Sequence, residues 1–354
     1  MEVGRNLTCL RISSWCVEVL PALPPKLEQL HVGPCVRLHT LPALPPTLRQ
    51  LLCTGCAFLQ DLPISLSATA VSVLDCSDCK TFKSLPRLPR SLVELKVVNC
   101  SSLLRLPALP EGLKRLNTST CEALTALPEL PKSLSHLDFS LCTSLQKLPQ
   151  LAHTSLSHLI CYSCDLLEEL PDMPDSLEDL QASSLPRVAR LPRLPTERLK
   201  KLCVTATAIS NLPSSLPRLE ELQCGATPIQ QLPERLPSCR VLFLYGCTQL
   251  QQLPEQLPAG LEVLDCCGCS ALQQLPTQLP SGLEQLLIRN CTVLKQLPEL
   301  PPTLQVLDCG GCSNLQQLPE LPSTLRMLVC GGCSNLQRLP DLSQFRSLKL
   351  LSYT

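Results

Sequence analysis

Leu304-Gln305-Val306-Leu307-Asp308-Cys309-Gly310-Gly311-Cys312-Ser313-Asn314-Leu315-Gln316-Gln317-Leu318-Pro319-Glu320-Leu321-Pro322-Ser323-Thr324 is one sentence of a text that repeats from Leu7 to about Phe345. The next copy opens at Leu325. Spacings run from 20 to 23 residues: Leu199 to Leu219, Leu304 to Leu325, Leu261 to Leu283 and Leu48 to Val71. A fixed period in this range is the signature of a solenoid, in which each repeat packs on its neighbours. The sequence therefore reads as a single domain, 1–354, of about sixteen repeats, offering a long open surface and no enclosed cleft.

Numbering each repeat from its first leucine, positions 1, 4, 6, 12 and 15 are apolar, as in Leu283, Leu286, Ile288, Leu294 and Leu297. The alternation at 4 and 6 has the period of a strand, predicted over positions 3–7. Each of the sixteen copies then carries a Leu-Pro, from Leu20-Pro21 to Leu339-Pro340, and in thirteen of them a second proline comes shortly after. Proline lacks the N–H and drives its predecessor out of the helical region. The fold class expected is a curved parallel sheet on the concave face, extended or polyproline II arcs on the convex face, and little or no α-helix.

Twelve of the 24 cysteines stand at position 9 and seven at position 6. In register with a leucine repeat, they read as small core residues with a weak S–H donor able to satisfy buried turn groups. Six Cys-x-x-Cys pairs, 53/56, 76/79, 161/164, 266/269, 309/312 and 330/333, match this placement better than zinc or redox chemistry. Equivalent cysteines on stacked strands would point in parallel, with Cβ atoms too far apart for disulfides, so reduced thiols are expected. Off-pattern Cys203 and Cys267 fall on the open face as candidate modifiable thiols, and the sequons at Asn6, Asn99, Asn117 and Asn290 read as accidents. Residues 177–239 are irregular: Leu185, Thr207 and Thr227 replace the position-9 cysteine.

These features are identified as those of the leucine-rich repeat family. Leu-Pro-Glu-Leu-Pro at 297–301 resembles the short repeats of bacterial effectors such as the Yersinia outer protein M and Shigella ubiquitin-ligase families. The Cys-x-x-Leu step, with Ala206-Thr207-Ala208-Ile209 and Ala226-Thr227-Pro228-Ile229, is similar to the repeat region of plant TIR-type immune receptors. The resemblance implies a recognition surface. No catalytic or signalling domain accompanies it between Leu7 and Phe345.

Lysine plus arginine equal aspartate plus glutamate at 30 each, and aromatics are 3%, which argues against nucleic acid and polybasic membrane partners. Neither a membrane span nor a signal peptide is legible, so an intracellular location is expected, host-delivered if the chain is a bacterial effector. No catalytic residue, metal site or cofactor is assigned. Position 3 runs Glu94, Arg115, His136, His158, Asp179, Lys201, Glu221, expected to be a solvated polar ladder, with a histidine metal site as its alternative. Beyond Glu221 the face turns apolar. Phe243 and Tyr245 are the expected anchors of a protein or peptide partner, with Val263, Leu287, Val306, Met327 and Val329 around them and Asp265 and Asp308 to pair with basic ligand groups. Two other roles compete: a substrate-selecting subunit or truncated effector working with a separate enzyme such as a ubiquitin ligase, and a secreted or surface adhesive protein. The tail 346–354, with Arg346, Lys349 and Tyr353, has the length of a minimal C-terminal cap.

Overall fold

The computed structural model describes residues 6–340, 342–343, 345 and 349–351. These pack as two compact units, Met1–Leu177 with Pro192–Leu194, and Glu178–Leu191 with Pro195–Thr354. The divisions fall within the irregular repeats.

In the first unit the strands are β1 Cys9–Ile12, β2 Gln29–Val32, β3 Gln50–Leu52, β4 Val73–Asp75, β5 Glu94–Lys96, β6 Arg115–Asn117, β7 His136–Asp138 and β8 His158–Ile160. Each pairs in parallel with the next, so that Leu95, Leu116, Leu137 and Leu159 stand in one column. The second unit holds β9 Asp179–Gln181, β10 Lys201–Cys203, β11 Glu221–Gln223, β12 Val241–Phe243, β13 Val263–Asp265, β14 Gln285–Leu287, β15 Val306–Asp308, β16 Met327–Val329 and β17 Lys349–Leu351, again consecutive and parallel. β17 lies in the segment read as a cap; Arg346 and Tyr353 lie outside the described residues.

Most strands are three residues long, covering positions 3–5 and not the predicted 3–7. The reason is at position 8, where the backbone turns left-handed in every turn from Gly55 to Gly332. Glycine meets this demand at 55, 246, 268, 311 and 332, but Thr120, Leu141, Ala206 and Ala226 do so with positive φ against their Cβ. The turn brings position 9 inward, and its thiol donates to the position-6 carbonyl one repeat earlier. Cys121 Sγ lies 2.9 Å from Val97 O, Cys247 Sγ 3.1 Å from Cys224 O, and Cys312 Sγ 3.0 Å from Ile288 O. The substitutes behave otherwise: Thr207 and Thr227 bond carbonyls of their own turn, Val204 O at 2.8 Å and Cys224 O at 2.5 Å. The thiol link between turns thus lapses in the irregular repeats.

The second proline also has a structural task. Its carbonyl accepts the position-1 amide three residues on, as in Leu113 N to Pro110 O and Leu304 N to Pro301 O, both 3.1 Å, closing the turn into the next strand. Where the second Leu-Pro is missing, after Pro63, a 3-10 segment Ile64–Ala68 fills the arc. Hydroxyls just before the strands add a further ladder that the sequence reading overlooked: Thr324 Oγ1 reaches Leu304 O at 2.9 Å, and Ser91 Oγ reaches Val71 O at 2.8 Å. The leucines at positions 1, 4 and 12 are buried almost throughout, forming the apolar core of each unit. Among the described residues no helix is long and apolar enough to cross a membrane.

Candidate binding surface

Positions 3 and 5 alternate with the buried position-4 leucine, so pleating puts them on the opposite, open face. In the first unit the register sets Glu94 beside Arg115, Arg115 beside His136, and His136 beside His158. Glu94 binds Lys96 at 2.8 Å and Arg115 at 3.4 Å. The Lys96 contact holds the Glu94 carboxyl below its ordinary range although burial opposes it. His136 and His158 stack face to face, centroids 4.5 Å apart and planes within 6°. Each offers Nδ1 to the preceding serine, Ser135 or Ser157, at 2.9 Å. Burial, then His158 and Arg115, pushes the His136 pKa down, so the neutral ring is favoured. Parallel rings aim their nitrogens side by side, and among the described residues no three ligating side chains gather to hold a metal. A shallow concavity of about 190 Å³ opens here, floored by Leu116 and Leu137 and rimmed by Lys96, Arg115, Asn117, His136 and Asp138.

In the second unit the first three strands are likewise polar at position 3. Asp179, Lys201 and Glu221 are successive neighbours, and Lys201 Nζ meets Glu221 at 3.2 Å. Then the chemistry changes. One column reads Val241, Val263, Gln285, Val306, Met327; the next reads Phe243, Asp265, Leu287, Asp308, Val329. Phe243, Val263, Leu287, Val306 and Met327 are half-buried. Val329 is not part of the open surface: it is 3% exposed.

Tyr245 is 42% exposed, and its orientation has a specific cause. The ring lies over Gly225, where an added Cβ would fall 2.6 Å from Cδ1 and Cε1. Glycine at position 7 of one repeat thus seats the aromatic side chain of the next. The ring is held in place before any partner arrives, which lowers the entropy cost of using it as an anchor.

The two aspartates are more committed than expected. Asp265 Oδ1 accepts the Cys267 amide at 2.9 Å, and Asp308 Oδ1 accepts the Gly310 amide at 3.1 Å. Asp75 and Asp138 make the same turn contact, at 3.0 Å each, which marks a structural use of aspartate at position 5. Asp308 Oδ2 is further engaged by Arg289, with Nε and Nη2 both at 3.0 Å. Arg289, at position 7, is a polar member of this face that the column reading passed over. Cys203 and Cys267 are half-buried here; burial, reinforced by Asp265, pushes the Cys267 thiol up to about 12 and makes it a poor nucleophile.

The outer arcs of this unit carry an open groove of about 470 Å³, lined by Leu232–Pro237 and by Pro254, Leu257 and Pro258. It forms where a 20-residue repeat, Leu219 to Cys239, is followed by a 22-residue one, Cys239 to Leu261, so that the second arc is longer than the first.

Parallel strands at leucine-repeat spacing, left-handed turns and proline arcs define a leucine-rich repeat solenoid. Among solved structures the chain is similar to YopM of Yersinia pestis, described as a leucine-rich effector protein, at 26% identity and TM-score 0.62, covering 98% of this chain and 89% of that one. YopM of Yersinia enterocolitica WA-314 gives 26% identity and TM-score 0.47 over 98% and 92% of the two chains. The functional domain of InlJ from Listeria monocytogenes, described as including a cysteine ladder, aligns at 18% identity and TM-score 0.53 over 84% of this chain and 63% of that one. No family model and no curated protein sequence matches.

Proposed function

We propose that the chain is a recognition module that holds a protein or peptide on the open strand face of its second unit. The observation that carries this reading is the apolar column set from Val241 to Met327 with the seated, half-exposed Tyr245 at its edge. Half-exposed apolar side chains in adjacent register form a patch that gains by covering, and aromatic residues are the commonest anchors of such contacts. Zero net charge supports a protein partner over a polyanion. The internal pairing of Asp308 and Arg289 argues for a partner gripped through apolar contact and backbone hydrogen bonds, with polar neighbours setting register.

Nineteen repeat cysteines used as core and turn groups support a reducing compartment as the working environment. The likeness to a leucine-rich effector also supports a second role for the same face, selection of a substrate for a separate enzyme such as a ubiquitin ligase.

The test is affinity capture with the full chain, followed by the double substitution Phe243→Asp plus Tyr245→Asp. A partner captured by the parent should be lost, with affinity falling at least tenfold, while Glu94→Gln in the first unit leaves it unchanged. Undiminished binding by the folded double variant would place the interface elsewhere. Copurification of ligase components would favour the second role.

A further inference from the structure

The thiol network has a diagonal geometry that equivalent positions do not reveal. Position 6 of one repeat and position 9 of the next are neighbours, because the position-9 thiol bonds the position-6 carbonyl. Both places carry cysteine in five pairs: 53/79, 76/100, 224/247, 266/291 and 309/333. In four of these the position-9 member, Cys79, Cys100, Cys247 or Cys291, is fully buried. In the fifth, Cys333 is half-exposed, its Sγ 3.0 Å from the carbonyl of Cys309 and 24 residues from it in sequence. Cys309 itself stays buried, its Sγ 3.3 Å from Val329 O.

We propose that Cys333 is a peroxide-sensitive thiol and Cys309 its resolving partner, the two closing a disulfide between adjacent turns of the second unit. In the first step the Cys333 thiolate attacks one oxygen of a hydroperoxide. The O–O bond breaks, a sulfenic acid forms on Cys333, and the other oxygen leaves as hydroxide, or as alkoxide from an organic peroxide. It takes up from solvent the proton that Cys333 gave up on ionising, ending as water or alcohol. In the second step the Cys309 sulfur attacks the sulfenic sulfur, and the S–O bond breaks. Hydroxide leaves and takes up the Cys309 proton as water. Two thiols are oxidised by two electrons in all, and one peroxide is reduced.

The local chemistry favours this order of events. The neighbouring Cys309 thiol, then the amides of Cys312 and Gly311, favour the ionised form against burial and bring the Cys333 thiol down to about 7. The same contact raises Cys309, so the exposed sulfur is the one that ionises and the buried one keeps its proton. A half-exposed thiol ionised near neutral pH with a second thiol behind it is the arrangement that redox-sensitive cysteines share. Cys330, also half-exposed, is raised by burial and then by Cys333, so it is the weaker nucleophile of this turn.

The experiment treats the reduced, folded full chain with equimolar hydrogen peroxide at pH 7.5, blocks remaining thiols with iodoacetamide, and digests with trypsin. The expected product has lost two thiols and links the peptide 296–326, through Cys309, to the peptide 327–338, through Cys333. Cys330→Ser should leave the link intact. Cys309→Ser, its fold checked by circular dichroism, should stop at the sulfenic acid, trapped on Cys333 by dimedone. Linkage through Cys330 or Cys312, first oxidation at the exposed Cys9 or Cys16, or no thiol loss from the wild-type chain would each overturn the proposal.

Discussion

Gly225 and Tyr245 give the sharpest test of how this surface is built. If the ring is seated because position 225 has no Cβ, then Gly225→Ala must displace it. The added carbon would fall 2.6 Å from two ring carbons and 2.9 Å from Cγ, well inside van der Waals contact. Overpacking of this kind costs about 1–3 kcal/mol. Set against it is the gain from a less flexible unfolded chain, about 0.4–1 kcal/mol, since Gly225 is outside the left-handed set. The single substitution should therefore destabilise by roughly 0–2.5 kcal/mol. In a Tyr245→Ala background the clash disappears and the same change should be neutral or stabilising. The informative quantity is the coupling energy of the double-mutant cycle, expected at about 1–3 kcal/mol. Urea denaturation followed by far-UV circular dichroism on the four chains measures it. A coupling indistinguishable from zero would mean that the ring does not rest on Gly225. The claim of a preset aromatic anchor would fall with it.

Two further expectations concern the turns and the ion pairs. Thr120 occupies the left-handed position at φ 62°, and Thr120→Gly should raise stability by about 1 kcal/mol, whereas Gly268→Ala, from φ 73°, should lower it by a similar amount; matched thermal melts moving the same way for both would contradict the strain argument. Glu94 has its pKa depressed by Lys96, so its stabilisation is complete above the ordinary carboxylate range and is lost as pH falls through the lowered value. Lys96→Met should flatten that acid limb in pH-dependent denaturation, and an unchanged limb would show that the pair contributes nothing.

Much of the architecture was legible because two signals are local. Proline after Leu318 or Leu297 forbids a helix without any knowledge of neighbours, and alternation around Leu286 calls for a strand. The columns on the open face followed from counting, since identical repeats stack in register, and Val241 beside Val263 is a consequence of arithmetic. What escaped the reading was set by turns that change the sequence offset. The step from Cys309 to Cys333 crosses from position 6 to position 9, a diagonal visible only once the left-handed residue at position 8 has swung the chain inward. Asp308 looked like a ligand-facing acid because its partner Arg289 sits two positions beyond the neighbouring strand's paired residue. Val329 looked exposed by parity, yet it is 3% exposed.

Residue order alone determined the period, the strand polarity, the absence of outer α-helices among the described residues and the role of cysteine as a core group, because each rests on the covalent chemistry of single residues or on a repeat that needs no measurement. Tertiary structure decided which of those residues remain available. It seated Tyr245 on Gly225, closed Asp308 onto Arg289 and left Cys333 half-exposed beside the buried Cys309. These outcomes depend on distances between turns of the chain, and packing sets them residue by residue.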